Sequence, residues 1–453
     1  MRSDAIAYQP DFAPTSGLAN AQVGLGGVTA ATSANGAFTI KTSITPSTDA
    51  TMLNASFTGY MPAWYPWFQS DTTQPIPLGV YPEVQAVARP GFMKGVIMMD
   101  DGGVTVTMYS TGRFASTLDR IKNTVSANLA SHVDAFWVTR FDPATNTVTM
   151  GPDGWGLGTK TFYESVVGMA HVRGLQFMMM LTIGSAYPGD SALNANWGAK
   201  LSIPKTNEAF WDVFFAAWRP LVLERAAVAR DLGVEYLGLG HNLLWLSRTS
   251  PSRWRSLIQA IRDLGYTGKI VYFTQTRFDA AFNEIQADDP SFPSLFDAIG
   301  FTINNDVFKT TPAEVLDRAQ TRARIRASVA TFLDSQAALS VPMILMVATP
   351  SVFGGVSNNE YIEPTLGTGS NSLAPLRTRD YQQQADSYQA IAEAVNATPT
   401  GSGHVIGLMT WGYWYTDNPT TSGFKPNDAA FDKSANIRGK PAESVLNWWF
   451  KRW

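Results

Sequence analysis

Glu235-Tyr236-Leu237-Gly238-Leu239-Gly240, then a helical stretch over 252–264, then Lys269-Ile270-Val271-Tyr272-Phe273: this passage decides the architecture. A short apolar run, an amphipathic segment and a second apolar run make one βα unit that returns to a parallel strand. The alternation continues outward in both directions. Upstream, strands are predicted at 92–98, 135–139 and 176–181, with helices over 113–129, 161–172 and within 207–232. Downstream, strands at 298–302, 342–347 and 404–411 alternate with helices over 312–336, 379–397 and 440–450, and a short helix follows the 269–273 strand. The count predicts an α/β protein, a (β/α)8 TIM barrel whose loops beyond the strand ends are enlarged. An open doubly wound sheet would want a glycine-rich phosphate loop after its first strand. Here Met99-Asp100-Asp101-Gly102-Gly103 leads to Val104-Thr105-Val106 rather than to a helix, which excludes the dinucleotide fingerprint.

Residues before about 90 follow a different pattern. Gly36-Ala37-Phe38-Thr39-Ile40 and Met52-Leu53-Asn54-Ala55-Ser56-Phe57, separated by Gly, Ser, Thr and Pro, read as strands with turns. Together with Gly17-Leu18-Ala19-Asn20-Ala21-Gln22-Val23 and Ser56-Phe57-Thr58-Gly59-Tyr60, they resemble the carboxypeptidase-regulatory-like β-sandwich. The expected division is a small all-β accessory module over 1–60, a connector rich in Pro and aromatics over 61–90 that lies against the next domain, and the barrel over 91–453.

Composition narrows the function. At 453 residues the chain exceeds what a single core usually serves. A net charge of −3 offers no clustered positive field for nucleic acid. No run approaches the roughly 18–20 apolar residues that a membrane span needs. The absence of cysteine removes disulfides, thiolate metal sites and thiol nucleophiles. No G-x-S-x-G elbow presents a serine, and no H-E-x-x-H spacing suggests zinc, so neither a metal nor an organic cofactor is expected. A charged fraction of only 16% and a surface vocabulary of Ser, Thr, Asn and Gly lean towards a secreted or periplasmic protein, although Met1-Arg2-Ser3-Asp4-Ala5 lacks the apolar core of a signal peptide. Fourteen Trp, 15 Tyr and 25 Phe belong mostly to core packing, and their excess adds weight to a surface on which rings stack against sugar faces.

In a barrel of this type, the residues just past each strand gather around one pocket. The first strand leads to Asp100 and Asp101, the second to Arg140 and Asp142, the third to Ser185 and Tyr187. The fourth leads to His241, Asn242 and Trp245, the fifth to Gln275 and Arg277, the sixth to Asn304, Asn305 and Asp306. The seventh leads to Thr349 and Ser351 and a loop with Glu360; the eighth carries Trp411, Tyr413, Trp414 and Asp417. Acids and amides satisfy hydroxyls while rings cover C–H faces, so the set suits a carbohydrate substrate. Each also has a structural use. Asp142 precedes Pro143 and suits a turn, Asp100 and Asp101 precede a glycine pair, Asp306 suits a loop cap, and the tryptophans suit a core.

The C-terminal third carries the sharpest resemblance. Gln382-Gln383-Gln384-Ala385-Asp386-Ser387-Tyr388, Val405-Ile406-Gly407-Leu408-Met409-Thr410-Trp411-Gly412-Tyr413-Trp414 and Gly439-Lys440-Pro441-Ala442-Glu443-Ser444-Val445-Leu446 resemble the end of a clan A glycoside hydrolase, nearest to the family 113 β-mannanase type. Met93-Lys94-Gly95-Val96 and Ala170-His171-Val172-Arg173-Gly174-Leu175 resemble the same group. The resemblance implies a retaining enzyme with an acid/base Glu ending the fourth strand and a nucleophilic Glu ending the seventh, the two carboxyls about 5 Å apart. This chain departs at both places, running into Gly240-His241-Asn242 and Val347-Ala348-Thr349-Pro350.

Three readings meet that departure. Catalysis has moved to other strand-end groups, with Asp101, Asp142, Asp306 and His241 as the catalytic candidates and Glu360 and Asp417 behind them; a carboxyl separation of about 6.5–9.5 Å would then mean inversion. Alternatively, the barrel has become a non-catalytic carbohydrate binder or an assembly protein such as a phage-tail component. In the third reading a catalytic Glu has been replaced, at Ala348. Under the first, Asp100, Arg140, Tyr187, Asn242, Trp245, Gln275, Arg277, Asn304, Asn305, Glu360, Trp411, Tyr413, Trp414 and Asp417 contact substrate, and the expected function is glycoside hydrolysis by carboxylate acid/base catalysis.

Overall fold

The structure is a computed structural model describing residues 17–41, 51–67, 78–99, 112–142, 144–152, 159–184, 206–241, 251–276, 291–303, 318–352, 380–399, 404–414 and 434–453. Four short strands open it: β1 (Gln22–Leu25), β2 (Val28–Ala31), β3 (Thr51–Ser56) and β4 (Ala63–Trp67), antiparallel in the order β2-β1-β3-β4. Among the described residues these strands form one antiparallel sheet, which fits the small all-β N-terminal accessory domain expected from the sequence. The stretch Gly36–Ile40 is not a strand. Ser33 and Asn35 close a turn there, with the Ser33 amide donating to the Ala37 carbonyl at 2.8 Å. This turn chemistry overrides the apolar alternation, although Phe38 and Ile40 still pack on the sheet.

Eight parallel strands follow: β5 (Met93–Met99), β6 (Leu129–Asp142), β8 (Gln176–Gly184), β9 (Tyr236–His241), β10 (Lys269–Thr276), β11 (Ala298–Ile303), β12 (Met343–Val347) and β13 (Val405–Trp414). They pair β5-β13-β12-β11-β10-β9-β8-β6, and a β5–β6 pairing closes the ring. The predicted barrel is therefore present. Between its strands run α1 (Gly112–Arg120, continued by a π turn over Ile121–Val125), α2 (Lys160–His171), α3 (Glu208–Asp231), α4 (Pro251–Asp263), α5 (Arg318–Ser335) and α6 (Tyr381–Ala397), and α7 (Pro441–Phe450) closes the chain. Most boundaries lie within a residue or two of expectation. The second strand does not: it begins at Leu129, inside the segment read as helix, because Ser126 takes a left-handed φ of 63° and ends the π turn. Beyond the barrel β6 turns back as a hairpin with β7 (Thr147–Pro152), which the sequence pattern did not reveal.

Strand parity separates two cores. The inward set, including Met93, Ile97, Met178, Met180, Phe273, Met346 and Met409, fills the barrel. Phe273 occupies its middle, against Gly300, where a Cβ would lie 2.2 Å from the ring. The outward set, including Val96, Phe177, Leu239, Tyr272, Phe301 and Leu345, packs under the helices. The stretch read as a connector contains β4 and then follows α6: Tyr65 stacks on Tyr381 at 5.3 Å, Tyr81 donates to Asp386, and Arg89 donates to the Val395 carbonyl.

Candidate active site

The inward positions at the C-terminal ends of the strands form the mouth, and three register irregularities decide which residues reach it. In β9, Met180↔Gly238 is followed by Thr182↔His241, so one extra residue lies between the pairings. Gly240 absorbs it at φ +85°, with its Cα against Tyr272; a Cβ there would lie 2.2 Å from that ring. The slip moves position 241 from outward to inward parity. In β13, Thr410↔Val96 is followed by Tyr413↔Met98 and Trp414↔Met99, with Gly412 at φ +81°. Position 414 thereby joins Trp411 on the inner face and Tyr413 falls on the outer one. In the β6–β7 hairpin, Val138↔Met150 is followed by Arg140↔Thr149, so Arg140 and Asp142 share a face with Trp137, while Phe136, Val138 and Phe141 pack outward.

The end of β12 is held by the motif on α6. Tyr388 donates to the Val347 carbonyl, Gln384 donates to the Thr349 carbonyl at 2.9 Å, and the Thr349 and Ser387 hydroxyls lie 3.0 Å apart. Tyr388 also meets the Thr410 hydroxyl on β13 at 2.6 Å. The buried glutamines and serine that resemble a hydrolase signature therefore position two adjacent strand ends. Between them Ala348 is buried in the inward core, its amide donating to the Ile303 carbonyl. Further on, the buried Lys440 ammonium donates to the Ser351 hydroxyl at 2.9 Å, tying the start of the post-β12 loop to the last helix.

Of the predicted site residues, Asp100, Asp101, Tyr187, Asn242, Trp245, Arg277, Asn304, Asn305, Asp306, Glu360 and Asp417 lie outside the described residues. His241 and Gln275 occupy the ends of β9 and β10. Trp411 is buried in the inward core with its neighbours Ala348 and Met409. Arg140 is exposed on the hairpin. Asp142 accepts from the Ala144 amide at 3.0 Å and the Thr145 hydroxyl at 2.7 Å, closing the turn. Those bonds, the Thr145 hydroxyl first, hold its carboxyl below the usual range, so it stays ionised, which suits neither a general acid nor a strong base.

Tyr413 was grouped with the mouth residues, and the bulge at Gly412 corrects its place. It is fully buried between barrel and helices, donating to Glu443 at 2.6 Å and accepting from Arg120 at 3.0 Å. Burial, then the Glu443 charge, pushes its phenol well above the ordinary value. The other buried acids are engaged in the same layer. Arg225 binds Asp134 at 2.6 Å and Tyr163 adds a bond at 3.0 Å; Arg318 chelates Asp386 at 2.6 and 2.7 Å. Glu235 accepts the Phe177 amide at the N-terminal end of β8, away from the mouth.

Thr302, inward on β11, keeps a buried hydroxyl with no partner among the described residues. Sequence reasoning passed over Trp137. The signal was available, since outward parity for Phe136 and Val138 puts the tryptophan between them inside.

The sequence model of glycoside hydrolase family 113 matches residues 162–300, from α2 to the middle of β11. The findings support a glycoside hydrolase. The hydrolase also resembles solved structures of family 113: a β-1,4-mannanase at 17% identity, covering 80% of this chain and 99% of that one with a TM-score of 0.53. A β-mannanase from Alicyclobacillus acidocaldarius in complex with ManMIm shows 18% identity over 80% and 97%, TM-score 0.53, and a further β-1,4-mannanase 16% over 80% and 99%, TM-score 0.54. At these identities the likeness is one of fold. No curated protein matches the sequence. Among the described residues no helix is long and apolar enough to cross a membrane.

Proposed function

We propose that the hydrolase cleaves a glycan at the C-terminal mouth of the barrel, using carboxylates that the βα loops supply. The observation that carries this is the register of β13, which puts Trp411 and position 414 on the inner face where a pyranose needs an apolar floor. Loop carboxylates are favoured for a physical reason. The described acids near the mouth are committed to the backbone: the Asp142 carboxylate closes a turn and that of Asp380, beside Ser351, caps α6 by accepting the Gln383 amide. The buried acids Asp134, Asp386 and Glu443 are all held by arginines on the outer layer. Asp101 after β5 and Asp306 after β11 remain as the acid and base. One donates a proton to the leaving oxygen while the other takes a proton from the water that attacks the anomeric carbon. We further infer that His241, the last residue of β9, assists that transfer.

The first substrate to try is β-1,4-mannan, because the family 113 structures named above are mannanases. Release of reducing ends from mannan, glucomannan, cellulose, chitin and bacterial polysaccharides by the purified chain tests the reading, and proton NMR of the first product gives retention or inversion. Binding of a glycan with no cleavage of any would replace this function with the carbohydrate-binder reading.

A further inference from the structure

β6 carries an aromatic residue close to the C-terminal ends of the barrel strands. Trp137 has inward parity, in line with Val133 and Ala135, while its neighbours Phe136 and Val138 are fully buried against the helices. It is partly exposed. Its cross-strand partners are Gly184, the last residue of β8, and Gly151 in β7. Neither glycine has a positive φ, so the backbone does not require it. A Cβ at Gly151 would meet nothing within 4 Å. Glycine is depleted from strands because it packs poorly there, and in a strand it often marks the close approach of a ligand. Here two of them flank one indole at the level where the strands end. The bulge at Thr139 then sets Arg140 and Asp142 on the same face, just above.

We propose that Trp137 is a stacking platform for a pyranose ring, forming a glycan subsite on the β6–β7 hairpin beside the mouth. The indole offers a flat apolar face for the C–H side of the sugar, and the open space at Gly151 leaves room for its edge. Arg140 supplies donors to ring hydroxyls above. Because the subsite lies on the rim, it holds a sugar remote from the bond being cut, and its effect grows with substrate length. The inference rests on the glycan-hydrolase reading.

The test compares the wild-type chain with Trp137→Ala, Trp137→Phe and Gly151→Val on β-1,4-manno-oligosaccharides from disaccharide to hexasaccharide, with retardation in gels containing galactomannan as a binding readout. Trp137→Ala is expected to lower kcat/KM on the longest oligomers about tenfold, mainly through KM, which is what a stacking contact is worth. The shortest cleaved oligomer should be unaffected. Trp137→Phe should keep most of the wild-type kcat/KM, and Gly151→Val, whose branched side chain enters the open space directly across from the indole, should reproduce the loss. Equal kcat/KM for wild type and both the Ala and Val variants at every length overturns the subsite while leaving the hydrolase reading intact. A wild-type chain that neither cuts nor binds any of these glycans overturns both.

Discussion

On the outer face of β6, Asp134 is bonded to Arg225 and Tyr163 in a fully buried cluster. Three residues along and on the other face, Trp137 stands partly exposed between two glycines. The same contrast recurs on β13, where Tyr413 is locked to Arg120 and Glu443 while the next residue has the inward register. The outer layer uses its charges to fix helices on strands, satisfying each buried ion with a partner, because an unpaired one would cost several kcal/mol. On the inner face, the described side chains at the mouth include Trp137, Trp411 and the Thr302 hydroxyl, and the acid and base proposed above follow β5 and β11 in the sequence. Charges used to hold the fold together are therefore unavailable for chemistry, which separates the two sets of candidates cleanly.

The largest effect that would sharpen this contrast is on rate. Asp101→Asn and Asp306→Asn are each expected to lower kcat by about 10²–10⁴ while leaving the denaturation midpoint in place. Asp142→Asn, whose carboxylate serves the hairpin, should cost far less. Steady-state assays beside urea melts check all three, and unchanged rates for the first two would return the chemistry to other groups.

The outer layer should respond in the opposite sense. Arg225→Met strands the Asp134 carboxylate and is expected to remove about 3–5 kcal/mol of stability in chemical denaturation, with specific activity per folded molecule retained.

A pH prediction follows from His132, which packs edge-on against Phe162 and Tyr163 beside Asp134. Burial holds its imidazole down at about 4 against an ordinary 6.5, with Asp134 opposing. The unfolded chain takes up a proton as pH falls below 6.5 and the folded chain resists until about 4, so stability is full above 6.5 and declines through that window. The loss is on the order of 3 kcal/mol, and His132→Phe should flatten it in melts run from pH 7 to 4.

The β9 bulge is read on stability and activity together. Gly240→Ala forces a side chain into a left-handed backbone against Tyr272 and should cost about 1–2 kcal/mol from the backbone alone. If the bulge is what brings His241 to the mouth, activity falls by more than stability does; equal losses would mean that the residue has no part in the reaction.

Much of this was legible in the chain itself. Apolar runs such as Met343–Val347 and Ala298–Ile303, buried on both faces, announce parallel strands directly, and a β-strand residue's side of the sheet follows from counting by twos. Counting fails where a residue is inserted. Tyr413 was read with Trp411 and Trp414 because nothing in Trp411-Gly412-Tyr413-Trp414 tells which residue the bulge will skip. Gly36–Ile40 failed differently, a local turn displacing a plausible alternation.

The sequence by itself determined the eight βα units, the closed barrel they imply and the chemical types gathered at its strand ends, because periodicity and burial are local properties of the chain. Only the tertiary structure decided which face each of those residues takes. Parity after a bulge is set by pairing with a strand dozens of residues away, and whether an acid is free or bound depends on an arginine delivered by another helix: Asp134 by Arg225, Glu443 by Arg120.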